Sequence, residues 1–133
     1  MRFPSPEWAA AFQSALNSST GYREAAQAWE GDLLLRVIEP GDAPGISSGV
    51  LLDLWHGECR AASFVPDASK VESEFVYEGG RGNWARLLKG ELDPVKAILD
   101  GTFKVRGNLA KAMRYTRAAK ELVEVAAGIP AEA

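Results

Sequence analysis

The chain has 133 residues, 47% of them hydrophobic and 25% charged, with 15 Lys and Arg against 18 Asp and Glu. A chain of that length favours one domain over residues 1–133 and buries roughly two thirds of its unfolded surface, which argues against disorder and against any need for staples. One Cys and one His exclude an intrachain disulfide and a Cys/His zinc cage. No metal or cofactor is implied, and the mild acidity offers nucleic acid no attraction. The start, Met1-Arg2-Phe3-Pro4-Ser5-Pro6-Glu7, has no apolar segment behind its basic residue. With no bilayer-spanning run either, the expectation is a cytoplasmic protein.

Pro6 to Asn17 reads as a helix. Ser5 is its cap, Pro6 suits the first helical position, and Trp8, Phe12, Ala15 and Leu16 share a face. Tyr22 to Trp29 predicts a second short helix stopped by Gly31. Asp32 to Glu39 is apolar on both faces and predicts an inner strand, followed by a turn over Pro40 to Gly45. Gly49–Trp55 and Glu58–Val65 predict a hairpin about His56-Gly57, and Val71–Glu78 a strand with one wet face. After the break at Gly79-Gly80-Arg81-Gly82, Asn83 is expected to cap a helix to about Lys89. Asp93-Pro94 opens another, which Gly101 stops. Thr102–Arg106 predicts a fifth strand, and Gly107-Asn108 a last helix to about Val125. This order predicts an α+β fold with about five helices packed on one sheet.

The run from Asn83 to Leu109 carries a more specific pattern: Gly90, Leu92-Asp93-Pro94, Ala97, Gly101, Phe103-Lys104-Val105 and Gly107-Asn108, with Ala112-Met113 following. It closely resembles the sterol carrier protein 2 (SCP-2) family. Upstream, Leu51-Leu52-Asp53-Leu54 before His56-Gly57 looks like that family's hairpin. The matched residues are turn and cap residues, so they identify a fold rather than an activity. The resemblance implies a five-stranded, mostly antiparallel sheet whose helices enclose an apolar tunnel. It implies reversible, non-specific binding of a lipid with a long apolar chain: a fatty acid, a fatty acyl-CoA or a sterol-like molecule. Two departures stand out. Gly79-Gly80-Arg81-Gly82-Asn83 replaces the family's acidic helix-initiating stretch, so the tunnel mouth is expected to differ there. The peroxisomal tail of eukaryotic members is missing, which suggests a prokaryotic or purely cytosolic lipid binder.

On this reading the cavity walls are Leu35, Phe75, Trp84, Leu88, Ile98, Phe103, Val105, Leu109 and Met113, and Arg106, Arg114 and Arg117 are the head-group candidates. In the last helix Leu109, Ala112, Met113, Thr116, Ala119 and Val123 recur at helical spacing, widened by Tyr115, Ala118 and Leu122. Such a stripe serves either as the wall of an acyl-chain site or as ordinary packing on the sheet. Residues 104–120 carry six basic side chains and no acidic one. That stripe is either a solvated face or an attraction for an anionic head group or a transient anionic membrane surface. A monomer or weak homodimer is expected.

Two further classes stand beside the carrier: a non-catalytic accessory or dimerisation module of a lipid-metabolising system, and an acyl-thioester enzyme. The second needs Asp53, His56 and Cys59 to converge. A hairpin histidine faces solvent and a cysteine at the strand start has no reason to meet it, so no catalytic residue is expected.

Overall fold

The computed structural model describes residues 1–39 and 47–132. The expected turn over Pro40 to Gly45 lies outside them. Helix α1, Pro6–Asn17, has the bounds its punctuation predicts: Ser5 Oγ accepts from the Trp8 N–H at 3.1 Å, and Pro6 follows it. Helix α2, Thr20–Ala25, starts two residues before the expected Tyr22 because Ser19 caps it. It ends well short of Trp29, whose side chain belongs to the core.

Strands β1 (Glu30–Ile38), β2 (Ser47–Trp55), β3 (Glu58–Val65), β4 (Phe75–Gly80) and β5 (Lys104–Arg106) form one sheet in the order β3-β2-β1-β4-β5. Within it only the β1–β4 pair is parallel. The β2–β3 turn is the two residues His56-Gly57, at φ 51° and 82°, with Trp55 paired to Glu58. Both positive angles match a primed hairpin turn, which histidine tolerates and glycine favours. Residues 71–74 are not strand. The parallel register begins at Leu33 and Phe75, and Asp32 Oδ1 instead accepts from the Glu74 N–H at 2.7 Å and the Ser73 hydroxyl at 3.3 Å.

Four helices follow β4 and its neighbours: α3 (Arg81–Leu88), α4 (Pro94–Leu99), α5 (Leu109–Met113) and α6 (Thr116–Ala127). The described residues thus form six helices, in keeping with the expected α+β fold, plus a 3-10 turn at Ala68–Lys70. Asn83 is not the cap of α3. Gly80 is, without a side-chain bond, because β4 runs on through Gly79 directly into the helix. Gly79 is required there by packing: a Cβ would sit 2.5 Å from the Phe103 ring. The expected single last helix is two, parted at Arg114-Tyr115.

Alternation assigns the layers. Leu33, Leu35 and Val37 share a face with their register partners Leu52, Val50, Phe75 and Tyr77. All belong to the core between sheet and helices. Helix α6 contacts α1, α2, α3 and α4, so it is the centre of the helical layer. Because β1 and β4 are parallel, the chain leaves edge strand β3 and recrosses the opposite face through the Ala68–Lys70 turn, which packs on β2. Buried Leu34 faces that side. Near the start, Arg2 bridges Glu132, which joins the two ends of the described chain.

Candidate functional site

The helical layer does not fill all the space over the sheet. An apolar pocket of about 110 Å³ lies between β1, β4 and β5 on one side and α4, α5 and α6 on the other. Phe75, Tyr77, Leu33 and Val105 form its sheet wall; Val95 and Ile98 of α4, and Leu109, Ala112 and Met113 of α5, form another. Helix α6 contributes Thr116, Ala118, Ala119, Leu122 and Val123. Three of these side chains, Thr116, Ala118 and Ala119, are small. Among the described residues, no charged side chain lines the pocket.

Aromatic packing closes one end. The Trp29 ring lies 5.0 Å from Phe75 and 5.0 Å, edge-on, from Tyr115, arrangements that aromatic quadrupoles favour. Burial pushes the phenols of Tyr22 and Tyr77 well above their ordinary value, so both stay neutral. The Tyr77 hydroxyl donates to the Pro94 carbonyl at 3.0 Å and ties the start of α4 to β4. Asp93 caps that helix, accepting from the Val95 and Lys96 N–H groups at 2.8 and 3.1 Å, and faces Lys120 of α6 at 3.8 Å. The N–H of Lys96 and that of Val95, with Lys120, hold the Asp93 carboxyl below the usual carboxylate range. Helix α4 is therefore fixed at its N-terminus, and Ile98 near its other end lines the pocket.

The expected wall residues divide. Phe75, Ile98, Val105, Leu109 and Met113 line the pocket. Leu35, Trp84, Leu88 and Phe103 do not. Leu35 is buried in the sheet core. Trp84 and Phe103 pack edge-on at 5.1 Å behind Tyr77, and the Trp84 indole N–H donates to the Arg36 carbonyl at 2.9 Å. Leu88 lies in a shallow depression between α3 and the segment after α6. The residues that sequence reasoning missed as walls are Tyr22, Trp29, Leu33, Leu54, Tyr77, Pro94 and Val95. Their signal is indistinguishable from that of core residues. The full helical stripe, Leu109, Ala112, Met113, Thr116, Ala119 and Val123 with Tyr115, Ala118 and Leu122, borders the pocket even though the helix breaks within it.

None of the three arginines expected at a head group lines the pocket. Arg106 points to the far face of the sheet, where its guanidinium binds the buried Glu78 carboxylate. Glu78, which also has Arg36 at 3.9 Å, raises the Arg106 pKa. Alternation along β5 requires this, since Val105 faces the pocket. Arg114 and Arg117 are exposed. The segment Gly79 to Asn83 packs Gly79 against Phe103 and directs Arg81 to Glu39 and the Phe3 carbonyl.

The hairpin polar residues are separately engaged. His56 Nε2 lies 2.5 Å from Glu30, and Asp53 pairs with Arg60 at 2.9 Å. Cys59 is buried, its N–H donates to Asn17 Oδ1 at 2.8 Å, and burial pushes its thiol up to about 11. A neutral thiol turned away from histidine is not an activated nucleophile.

A profile described as the SCP-2 sterol transfer family matches residues 11–120. The chain belongs to that family. A crystal structure of sterol carrier protein 2 is 38% identical, with a TM-score of 0.87 over 95% of this chain and 98% of its own. A conserved protein of Thermus thermophilus, suggested to be a sterol carrier protein, is 37% identical, with a TM-score of 0.86 over 99% of this chain and 92% of its own. A palmitated SCP2L2 of Aedes aegypti shares the fold at 11% identity and a TM-score of 0.58, over 95% of each chain. No curated protein sequence matches. The family is one of lipid binding and transfer, and its domains are generally non-catalytic. The five-stranded α+β fold is the expected one. The tunnel that the resemblance implies is not shown by this structure, which holds a small apolar pocket in that place.

Proposed function

We propose that this SCP-2 domain reversibly binds one long apolar chain, such as that of a fatty acid, in the pocket under α5, and carries out no chemistry on it. The observation that supports this reading is the lining, which among the described residues is mostly aromatic and aliphatic and carries no charge, in a fold whose family handles lipids. Burial of the chain supplies the driving force, about 0.8 kcal/mol per methylene before the costs of ordering and of opening the protein. At about 110 Å³ the pocket is smaller than the ~300–1,000 Å³ typical of ligand sites. Uptake therefore requires one wall to move. Helix α5 is the wall most easily displaced, because it has five residues and none is buried. The palmitated Aedes aegypti relative suggests an acyl chain as the first ligand to try.

Native mass spectrometry after incubation with palmitate, palmitoyl-CoA and hexadecanol tests the reading. A mass shift of one ligand is expected, and it should vanish in Ala119→Phe, which fills the pocket from α6. No uptake of any of the three, or uptake unchanged in Ala119→Phe, would overturn it.

A further inference from the structure

A cation stands just behind the aromatic lining of the pocket. Lys111 of α5 does not line the space, but its ammonium lies 5.1 Å from the centre of the Trp29 ring and 5.6 Å from that of Phe75, and both rings do. Its chain neighbour Ala112 lines it as well. The ammonium is held by a Glu74 carboxylate oxygen at 2.9 Å and by the Glu30 carbonyl at 2.7 Å. The Glu30 carboxylate is turned instead to His56. The other oxygen of Glu74 lies over bare backbone, where a Cβ on Gly31 would sit 2.5 Å from it. The spot is thus already shaped to take a carboxylate. Side-chain exposures of 27% for Lys111 and 45% for Glu74 leave the pair open to exchange with a carboxylate from outside.

From this juxtaposition we infer that Lys111 selects the head group of the ligand: as α5 moves aside to admit a chain, its ammonium passes from Glu74 to the carboxylate of a long-chain acid. Glu74 is then the internal carboxylate that competes with the ligand for the same cation. This rests on the pocket reading above and names the group that discriminates between ligands of equal chain length. Moving α5 breaks the contacts of Lys111 with Glu74, the Glu30 carbonyl and the two rings, and a cation freed beside an apolar space costs free energy. A ligand carboxylate restores a charge-assisted hydrogen bond of the same kind. An alcohol offers only a neutral acceptor, roughly half as strong. A ligand shifts a conformational equilibrium only by what it binds better in one state, so the acid holds the opened form more firmly than the alcohol does. Arg106, by contrast, is committed to Glu78 on the far face of the sheet.

Dissociation constants for palmitate and for hexadecanol, read at low salt from tryptophan fluorescence as the ligand meets Trp29, test the inference. The readout is the ratio of the two affinities, because a loosened α5 changes both ligands alike. The parent chain is expected to bind palmitate about five-fold more tightly than hexadecanol, and added salt should narrow that preference. The ratio should fall to about one in Lys111→Met. It should rise about five-fold further in Glu74→Gln, which removes the competing charge. Thermal unfolding of both variants should stay near that of the parent, because the pair is partly exposed. Hexadecanol uptake with no preference for palmitate in the parent, or with a ratio that either substitution leaves unchanged, overturns the inference and leaves the pocket reading standing. Uptake of neither ligand overturns the pocket reading and this inference with it.

Discussion

Lys111 on α5 meets the carboxylate of Glu74, the residue before β4, at 2.9 Å. Its ammonium also donates to the Glu30 carbonyl at 2.7 Å and lies 5.1 Å from the centre of the Trp29 ring. One side chain thus joins the movable wall of the pocket to the sheet. The Glu74 side chain is 45% exposed, so the ion pair itself is screened and contributes little to global stability. Lys111→Met should lower the unfolding free energy by no more than about 1 kcal/mol. Amide exchange over 109–113 should nevertheless accelerate markedly, and bound palmitate should leave faster. Exchange rates on α5 equal to those of the parent chain would show that Lys111 is not its tether.

Trp84 offers the opposite case, a residue important to the core and remote from the ligand. Trp84→Phe removes the bond to the Arg36 carbonyl and leaves a space beside Phe103. A loss of about 1–3 kcal/mol in chemical denaturation is expected, with palmitate affinity unchanged. A fall in affinity at constant fold would place Trp84 at the site after all.

Asp93 links stability to pH. Its carboxyl is held below the usual range by the Lys96 and Val95 N–H groups and by Lys120. A group with a lowered folded pKa contributes stability above its unfolded pKa of about 3.9 and loses it as pH falls through the folded value. Asp93→Ala should therefore cost about 1 kcal/mol at neutral pH. The difference should shrink on acidification as the parent chain protonates the same carboxyl. Urea titrations of both proteins at neutral and acid pH measure it, and a constant gap would contradict the cap.

Cys59 should be inert. With its thiol pushed up to about 11, only about a thousandth is thiolate at pH 8, and the residue is buried. Alkylation of native protein should be more than about a hundred-fold slower than that of free cysteine. Cys59→Ser should keep palmitate uptake. Rapid labelling of the folded chain would call for an opened β3 edge.

Much of the architecture was legible because its signals are local. Ser5-Pro6 starts α1, His56-Gly57 turns the hairpin, and Asp93-Pro94 with Gly101 delimits α4, each through backbone preferences that act within a few residues. The break at Arg114-Tyr115 was hidden, because the apolar stripe from Leu109 to Val123 keeps helical spacing across it. In the structure Tyr115 packs edge-on against Trp29, a contact between residues far apart in the chain.

The sequence by itself determined most of the elements, the family pattern from Gly90 to Asn108 and the apolar stripe that covers the sheet. Only the tertiary structure decided that Ile98 and Val105 border a space while Trp84 and Phe103 fill the core. It alone turned Arg106 to the far face and set Lys111 across to Glu74. The reason is physical: propensity and periodicity describe single elements. An unfilled volume is set by the spacing between two layers, here between the helices and the sheet face that carries Phe75 and Tyr77.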